Sequence, residues 1–247
     1  RFGRVLTFGD GYGMAAEAYQ RRHDTDEIVY LNVSSGEGRR FAQRLADVDY
    51  RGARAFVQGD ANTLDYLSLG MFDTIIDVGT FHHLFAFELI FPQLHRILKP
   101  GGILYVDEFV GPTRYHFTRP VIDWVNRQLR DLPASLVKSR RRVRQGDYVE
   151  MLTGGNDPSE CVRSGELQRA LLDAFRVLSV DDMGGTLLQP LFLTSNLRQC
   201  RLNIGNWHET PDGEAELARL VAEETEWIRT GRITSDYRNY VFTRRQE

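Results

Sequence analysis

The chain has 247 residues, 42% hydrophobic, 11% aromatic and 26% charged, the profile of a globular protein with a full apolar core. With 31 basic residues against 34 acidic ones the net charge is −3, so no global basic field exists to hold nucleic acid. The two cysteines, Cys161 and Cys200, suit neither a disulfide scaffold nor a CxxC metal site and read as reduced thiols of a cytoplasmic protein. No uninterrupted apolar run approaches the roughly 18 residues of a membrane span, and Arg1-Phe2-Gly3-Arg4 leads straight into a strand-like segment without a signal-peptide pattern.

Along the first half, short apolar runs alternate with helix-like segments. Residues 5–8 form a strand ending at Gly9, and residues 13–22 can be helix. Residues 28–33 are β-branched and apolar, and 37–48 carry Phe41, Leu45 and Val48 at helical spacing. Strands follow at 53–57 and 72–78, then a helix over 85–98, stopped by Lys99-Pro100-Gly101-Gly102, and a fifth strand at 103–106. This alternation predicts βαβ units, a parallel sheet and helices on both of its faces. The second half breaks the rhythm. Residues 118–132 read as an amphipathic helix with Thr118 as N-cap and Pro120 in the first turn. A basic run follows at 138–144, which reads as a solvated helix face or a phosphate contact, and then a polar loop at 154–158. Ser164 is expected to cap a helix through Ala174, with a strand at 176–180, a helix at 214–228 and a final edge strand at 237–243.

The sharpest local signal is Gly9-Asp10-Gly11-Tyr12-Gly13, a glycine-rich turn between a strand and a helix. Such a turn lets backbone approach a ligand closely at a helix N-terminus, and in an open parallel sheet ligands sit at the carboxyl ends of the strands. Met14 stands where a dinucleotide fingerprint has its last glycine, which disfavours NAD.

Taken in order, this loop, Phe56-Val57-Gln58-Gly59-Asp60-Ala61, Phe72-Asp73-Thr74-Ile75-Ile76-Asp77 leading to Phe81-His82-His83-Leu84, and Leu98-Lys99-Pro100-Gly101-Gly102 resemble the class I S-adenosylmethionine-dependent methyltransferases of small molecules over residues 4–110. The resemblance implies a Rossmann-like α/β fold: a doubly wound, mostly parallel seven-stranded sheet with helical insertions forming a lid. One domain would span 1–247, with its core at 4–110, 164–184 and 236–245 and insertions at 111–163 and 185–235. The implied cofactor is S-adenosylmethionine, with Gly9, Asp10, Gly11 and Gly13 around its methionine part and Asp60 and Ala61 at the adenine. Asp60 also suits the N-cap of a helix over 61–67. Two residues depart from the family pattern: Thr7 stands where an acid usually precedes the glycines, and Asn32 where an acid usually binds the ribose. Asn accepts a hydrogen bond without the strength of a charge. Arg39 and Arg40 after Asn32 also suit a 2′-phosphate, which keeps an NADP-dependent oxidoreductase as an alternative, beside a non-catalytic scaffold domain.

Methyl transfer to a hydroxyl needs alignment and a base. His82 just past the fourth strand is the expected base and Glu108 at the end of the fifth its partner, with His83 and Asp107 as substitutes. Arg114, Tyr115 and His116 are candidate substrate contacts, and Asp157, Glu160 and Arg163 form a polar group suited to a hydroxyl-rich substrate. No His/Cys spacing fits zinc. The expected activity is O-methylation of a sugar or natural product, with a small-molecule partner and no nucleic acid.

Overall fold

The computed structural model describes residues 2–9, 25–46, 52–153 and 157–245. The helix expected over 13–22 lies outside them. Seven strands form one sheet: β1 (Gly3–Phe8), β2 (Thr25–Asn32), β3 (Ala53–Gln58), β4 (Phe72–Val78), β5 (Leu98–Phe109), β6 (Phe175–Gly184) and β7 (Tyr237–Arg244). Their order is β3-β2-β1-β4-β5-β7-β6, and β1 to β5 pair in parallel. Alternate side chains of the inner strands feed two apolar clusters. Leu6, Phe8, Val29, Leu31, Ile75 and Leu104 join one, and Val5, Ile28, Tyr30 and Ile76 join the other with Phe41. Both faces are covered, so these strands read as continuous apolar runs rather than as alternating ones.

Among the described residues, the helices between them are α1 (Ser35–Ala46) and α2 (Phe87–Ile97). After β5 come α3 (Arg119–Asp131), α4 (Gln145–Thr153), α5 (Ser164–Ala174), α6 (Leu188–Leu193), α7 (Asn206–Glu209) and α8 (Pro211–Arg229). The chain divides into two compact units: residues 1–110, 162–181 and 238–247 form the first, and 111–161 with 182–237 the second. In the second unit, Trp124 Nε1 donates to Glu223 at 2.9 Å, and buried Glu224 accepts the N–H groups of Leu187 (2.6 Å) and Gly185 (3.0 Å). Both cysteines are free thiols. Among the described residues, no helix is long and apolar enough to cross a membrane.

Several local expectations need correction. α2 ends at Ile97, and the Lys99-Pro100-Gly101-Gly102 turn lies inside the irregular start of β5. Gly101 supplies a positive φ of 76°, and a Cβ on Gly102 would lie 2.9 Å from the carbonyl oxygens of Asp73 and Lys99. Glycine is therefore required at both places. Lys99 reaches back to Asp73 Oδ2 at 2.8 Å, tying the two motifs of the first unit together. Ser164 opens α5 rather than capping it: Arg163 holds the cap position, without a side-chain cap bond. Thr118 sits at the α3 cap position but its side chain makes no cap bond. The basic run 138–144 is irregular, not a helix face. Within it, Arg140 donates to the carbonyls of Leu129 and Leu132, both at 2.8 Å, closing the carboxyl end of α3.

Candidate active site

β1 lies between β2 and β4, so the strand order reverses direction there, and in open parallel sheets ligands bind beside such a switch point at the carboxyl ends of the strands. Gly9 follows β1 and donates to Leu31 O at 3.2 Å. A Cβ there would come within 2.9 Å of Thr80 Oγ1 and 3.5 Å of Asn32 Nδ2, so glycine lets three strand ends converge. Asn32 ends β2 half-buried; its Nδ2 donates to the Tyr30 hydroxyl at 3.0 Å and its Oδ1 accepts Ser34 N–H at 2.8 Å. Gly59 N–H donates to Asn32 O at 3.2 Å, bringing the end of β3 alongside. Asp60 is exposed, and its Oδ1 accepts the backbone N–H of Asn62 at 2.9 Å. The helix expected over 61–67 does not form. Asp60 caps a turn, and Asp65 caps the short 3-10 helix Tyr66–Leu69. Ala61 accepts the Tyr66 hydroxyl at 2.7 Å. Thr7 is buried, and its Oγ1 has no hydrogen-bond partner among the described residues. Asp10, Gly11 and Gly13 lie outside the described residues.

These strand ends fit an adenosine-bearing cofactor in their chemistry. Asp60 presents an exposed acceptor for an amine, and Asn32 an amide in the place of a ribose-binding acid. Their charge is lower than the family pattern, because Thr7 and Asn32 supply none.

At the ends of β4 and β5 a second set of groups meets. Phe81 anchors the turn Phe81–His83 in the core, its ring edge-on to Phe8 at 5.1 Å. His82 Nδ1 lies 2.8 Å from Glu108 Oε2, and the His82 backbone N–H donates to Glu108 Oε1 at 3.1 Å. Phe109 N–H donates to Oε2 at 2.7 Å. A buried carboxylate with three donors is satisfied. It also selects the ring form with its proton on Nδ1, which makes Nε2 the basic nitrogen. His83 packs ring to ring with His82, centroids 4.1 Å apart. Asp107 is half-buried; burial first, then the Glu108 charge, raises its pKa.

Sequence reasoning missed Asp77. It is fully buried on β4, where it accepts Phe81 N–H at 3.2 Å, and burial followed by the Glu108 carboxylate holds its pKa well above the ordinary range. Burial therefore favours the protonated form of Asp77 beside Glu108. An acid inside the apolar run Thr74-Ile75-Ile76-Asp77-Val78 was the available signal.

In the second unit, Arg114 and Tyr115 take left-handed backbone (φ 53° and 54°). Arg114 N–H donates to Cys161 O at 2.8 Å and the Tyr115 hydroxyl to Glu160 at 2.7 Å. Burial, then Cys161 and Glu160, raises the pKa of that hydroxyl. His116 is exposed. The polar group expected from Asp157, Glu160 and Arg163 is instead tied up locally. Asp157 accepts Ser159 N–H at 2.9 Å, Glu160 holds Tyr115, and Arg163 of the first unit grips Glu88 at 2.8 Å and Glu166 at 2.7 Å.

Residues 6–106 match the family model described as a methyltransferase domain. A fatty-acid O-methyltransferase of Mycolicibacterium smegmatis is 30% identical over 138 residues, 56% of this chain and 46% of that protein. The ubiquinone/menaquinone biosynthesis C-methyltransferase UbiE of Stutzerimonas stutzeri is 28% identical over 117 residues, 47% of this chain and 45% of its own. The chain thus spans less than half the length of these curated relatives. Among solved structures, the cyclopropane synthase MmaA2 of Mycobacterium tuberculosis superposes with a TM-score of 0.58 at 17% identity, over 97% of this chain and 77% of its own. The [4+2]-cyclase SpnF does so with a TM-score of 0.52 at 20% identity, over 99% of this chain and 76% of that one. The family match falls on the strands that end in Gly9, Asn32 and Asp60, so this part of the chain is similar to methyltransferase domains in sequence, and the strand order is that of their fold.

Proposed function

We propose that the protein transfers the methyl group of S-adenosylmethionine to a small molecule, at a hydroxyl oxygen of a sugar or natural product. The observation that carries the hydroxyl reading is the 2.8 Å contact of His82 Nδ1 with buried Glu108 at the ends of β4 and β5. A hydroxyl must lose its proton as it attacks, and a histidine poised by a carboxylate supplies that base. S-adenosylmethionine supplies an electrophilic methyl group on a sulfonium. Asp60 would accept from the adenine amine and Asn32 from a ribose hydroxyl, and Gly9 would adjoin the methionine part. His82 Nε2 takes the acceptor's proton, and Glu108 balances the imidazolium that results. His83 and Asp107 border this pair.

The test is transfer of labelled methyl from S-adenosylmethionine to a panel of alcohols, phenols and fatty acids, with His82→Gln beside the wild type. Methylated alcohols, lost in the variant, support the reading. Methylation of carboxylates alone, equally fast in both, removes the base and with it the hydroxyl acceptor. A non-catalytic methyltransferase-like domain is the second reading, favoured by the internal bonds that both ends of the Asn32 amide make. Calorimetry with S-adenosylmethionine separates the two. The NADP alternative loses its support in the family match, and Arg40 pairs with Glu37 at 2.9 Å.

A further inference from the structure

The basic run 138–144 contributes to a cavity of about 690 Å³ in the second unit, between α4 and the segment 196–201. Three guanidinium groups line it: Arg141, Arg198 and Arg201. Arg201 is 4% exposed, and its main chain is locked in place. Its N–H donates to Thr194 O at 3.0 Å, and its carbonyl accepts Lys138 N–H at 2.7 Å. Its Nε donates to Arg141 O at 3.1 Å, but among the described residues its buried Nη1 has no hydrogen-bond partner. Among the described residues no carboxylate forms an ion pair with it. A guanidinium cannot shed its proton at any ordinary pH, so this is a buried, uncompensated charge. Such a group is costly unless an anion meets it.

The other charges around the cavity do not meet that need. Asp147 accepts Arg144 N–H at 3.0 Å, and Glu150 lies 3.7 Å from Arg198. Arg141 donates to Gln199 at 2.6 Å. Three cations against two carboxylates leave the cavity net positive. Arg198, 89% exposed, stands at its open side. Forked guanidinium donors match the oxygens of a tetrahedral dianion, with charge-assisted hydrogen bonds about twice as strong as neutral ones.

We propose that this cavity binds a phosphoryl group, as inorganic phosphate or as a phosphate monoester, through Arg141, Arg198 and Arg201. The test is isothermal titration of the whole chain with inorganic phosphate, glycerol 3-phosphate and acetate at matched ionic strength. Wild type is expected to bind phosphate or the ester saturably, one per chain, and acetate at least tenfold more weakly. Tighter binding of the ester identifies a phosphorylated ligand, and equal binding identifies free phosphate. Arg198→Ala and Arg141→Ala, both at exposed side chains, are each expected to weaken binding at least tenfold, and Arg201→Lys to abolish it. Should Arg201→Lys fail to fold, the two exposed variants decide alone. Absence of phosphate binding, acetate binding of equal strength, or phosphate binding indifferent to both exposed variants overturns the proposal.

Discussion

Glu108→Gln isolates the role of one carboxylate with almost no change of shape. Glu108 receives three donors: His82 N–H on Oε1 at 3.1 Å, and Phe109 N–H and His82 Nδ1 on Oε2 at 2.7 and 2.8 Å. An amide nitrogen must take one of those two oxygen positions. At the first it opposes the His82 backbone N–H. At the second it opposes Phe109 N–H and forces Nδ1 to accept, which moves the ring proton to Nε2. Either way one buried donor is orphaned, at a cost of about 1–3 kcal/mol. For a chain of this size that lowers Tm by about 2–12 °C. Either way, too, the negative charge that stabilises an imidazolium is gone, so kcat should fall by about 10²–10⁴-fold, the range that general-base catalysis supplies. Thermal unfolding and initial rates of methyl transfer, read on one preparation, check both. His82→Gln should lose as much rate with less stability, because its side chain is 13% exposed against 0% for Glu108. A Glu108→Gln enzyme with a lowered Tm but wild-type kcat would refute the base assignment. An unchanged Tm would refute the hydrogen-bond set itself.

Three further outcomes follow from the same geometry. Asp77 has a raised folded-state pKa, so its contribution is greatest below the unfolded value of about 3.9 and is lost as pH rises toward the folded one; Asp77→Asn should therefore gain stability relative to wild type as pH rises above about 4, and a pH-independent difference in unfolding free energy contradicts the raised carboxyl. Asn32→Asp keeps the acceptor for Ser34 N–H, lets the Tyr30 hydroxyl donate, and restores the charge toward the ribose. It should tighten S-adenosylmethionine binding about five- to tenfold by calorimetry, and weaker binding would count against a ribose contact at this position. Gly102→Ala drives a methyl against two carbonyl oxygens 2.9 Å away and should cost about 1–3 kcal/mol in denaturant unfolding, whereas a neutral result would mean that this backbone yields freely.

Much of the first half was legible because its signals are local. The apolar runs that became β1 to β5 are buried on both faces, and the helices between them carry their apolar residues at helical spacing. Gly9, Asp60, His82 and Glu108 could be named because each stands just past or at the end of such a run. α4 escaped notice because it is short and buries Tyr148 fully but little else, so its sequence carries no clear stripe. The cap role given to Ser164 failed because a side chain that suits a cap position does not decide where the first helical turn begins.

The order of strands and helices, the glycine turn and the chemistry of the site's residues were set by the sequence alone, through periodicity, backbone freedom and side-chain type. Three things were decided only by folding: the seating of Asp77 behind Glu108, the engagement of the Asn32 amide by Tyr30 and Ser34, and the burial of Arg201 Nη1 without a partner among the described residues. Each depends on which groups from distant parts of the chain come within 3 Å or so of one another and on how much water they lose. Spacing along the chain carries no record of either.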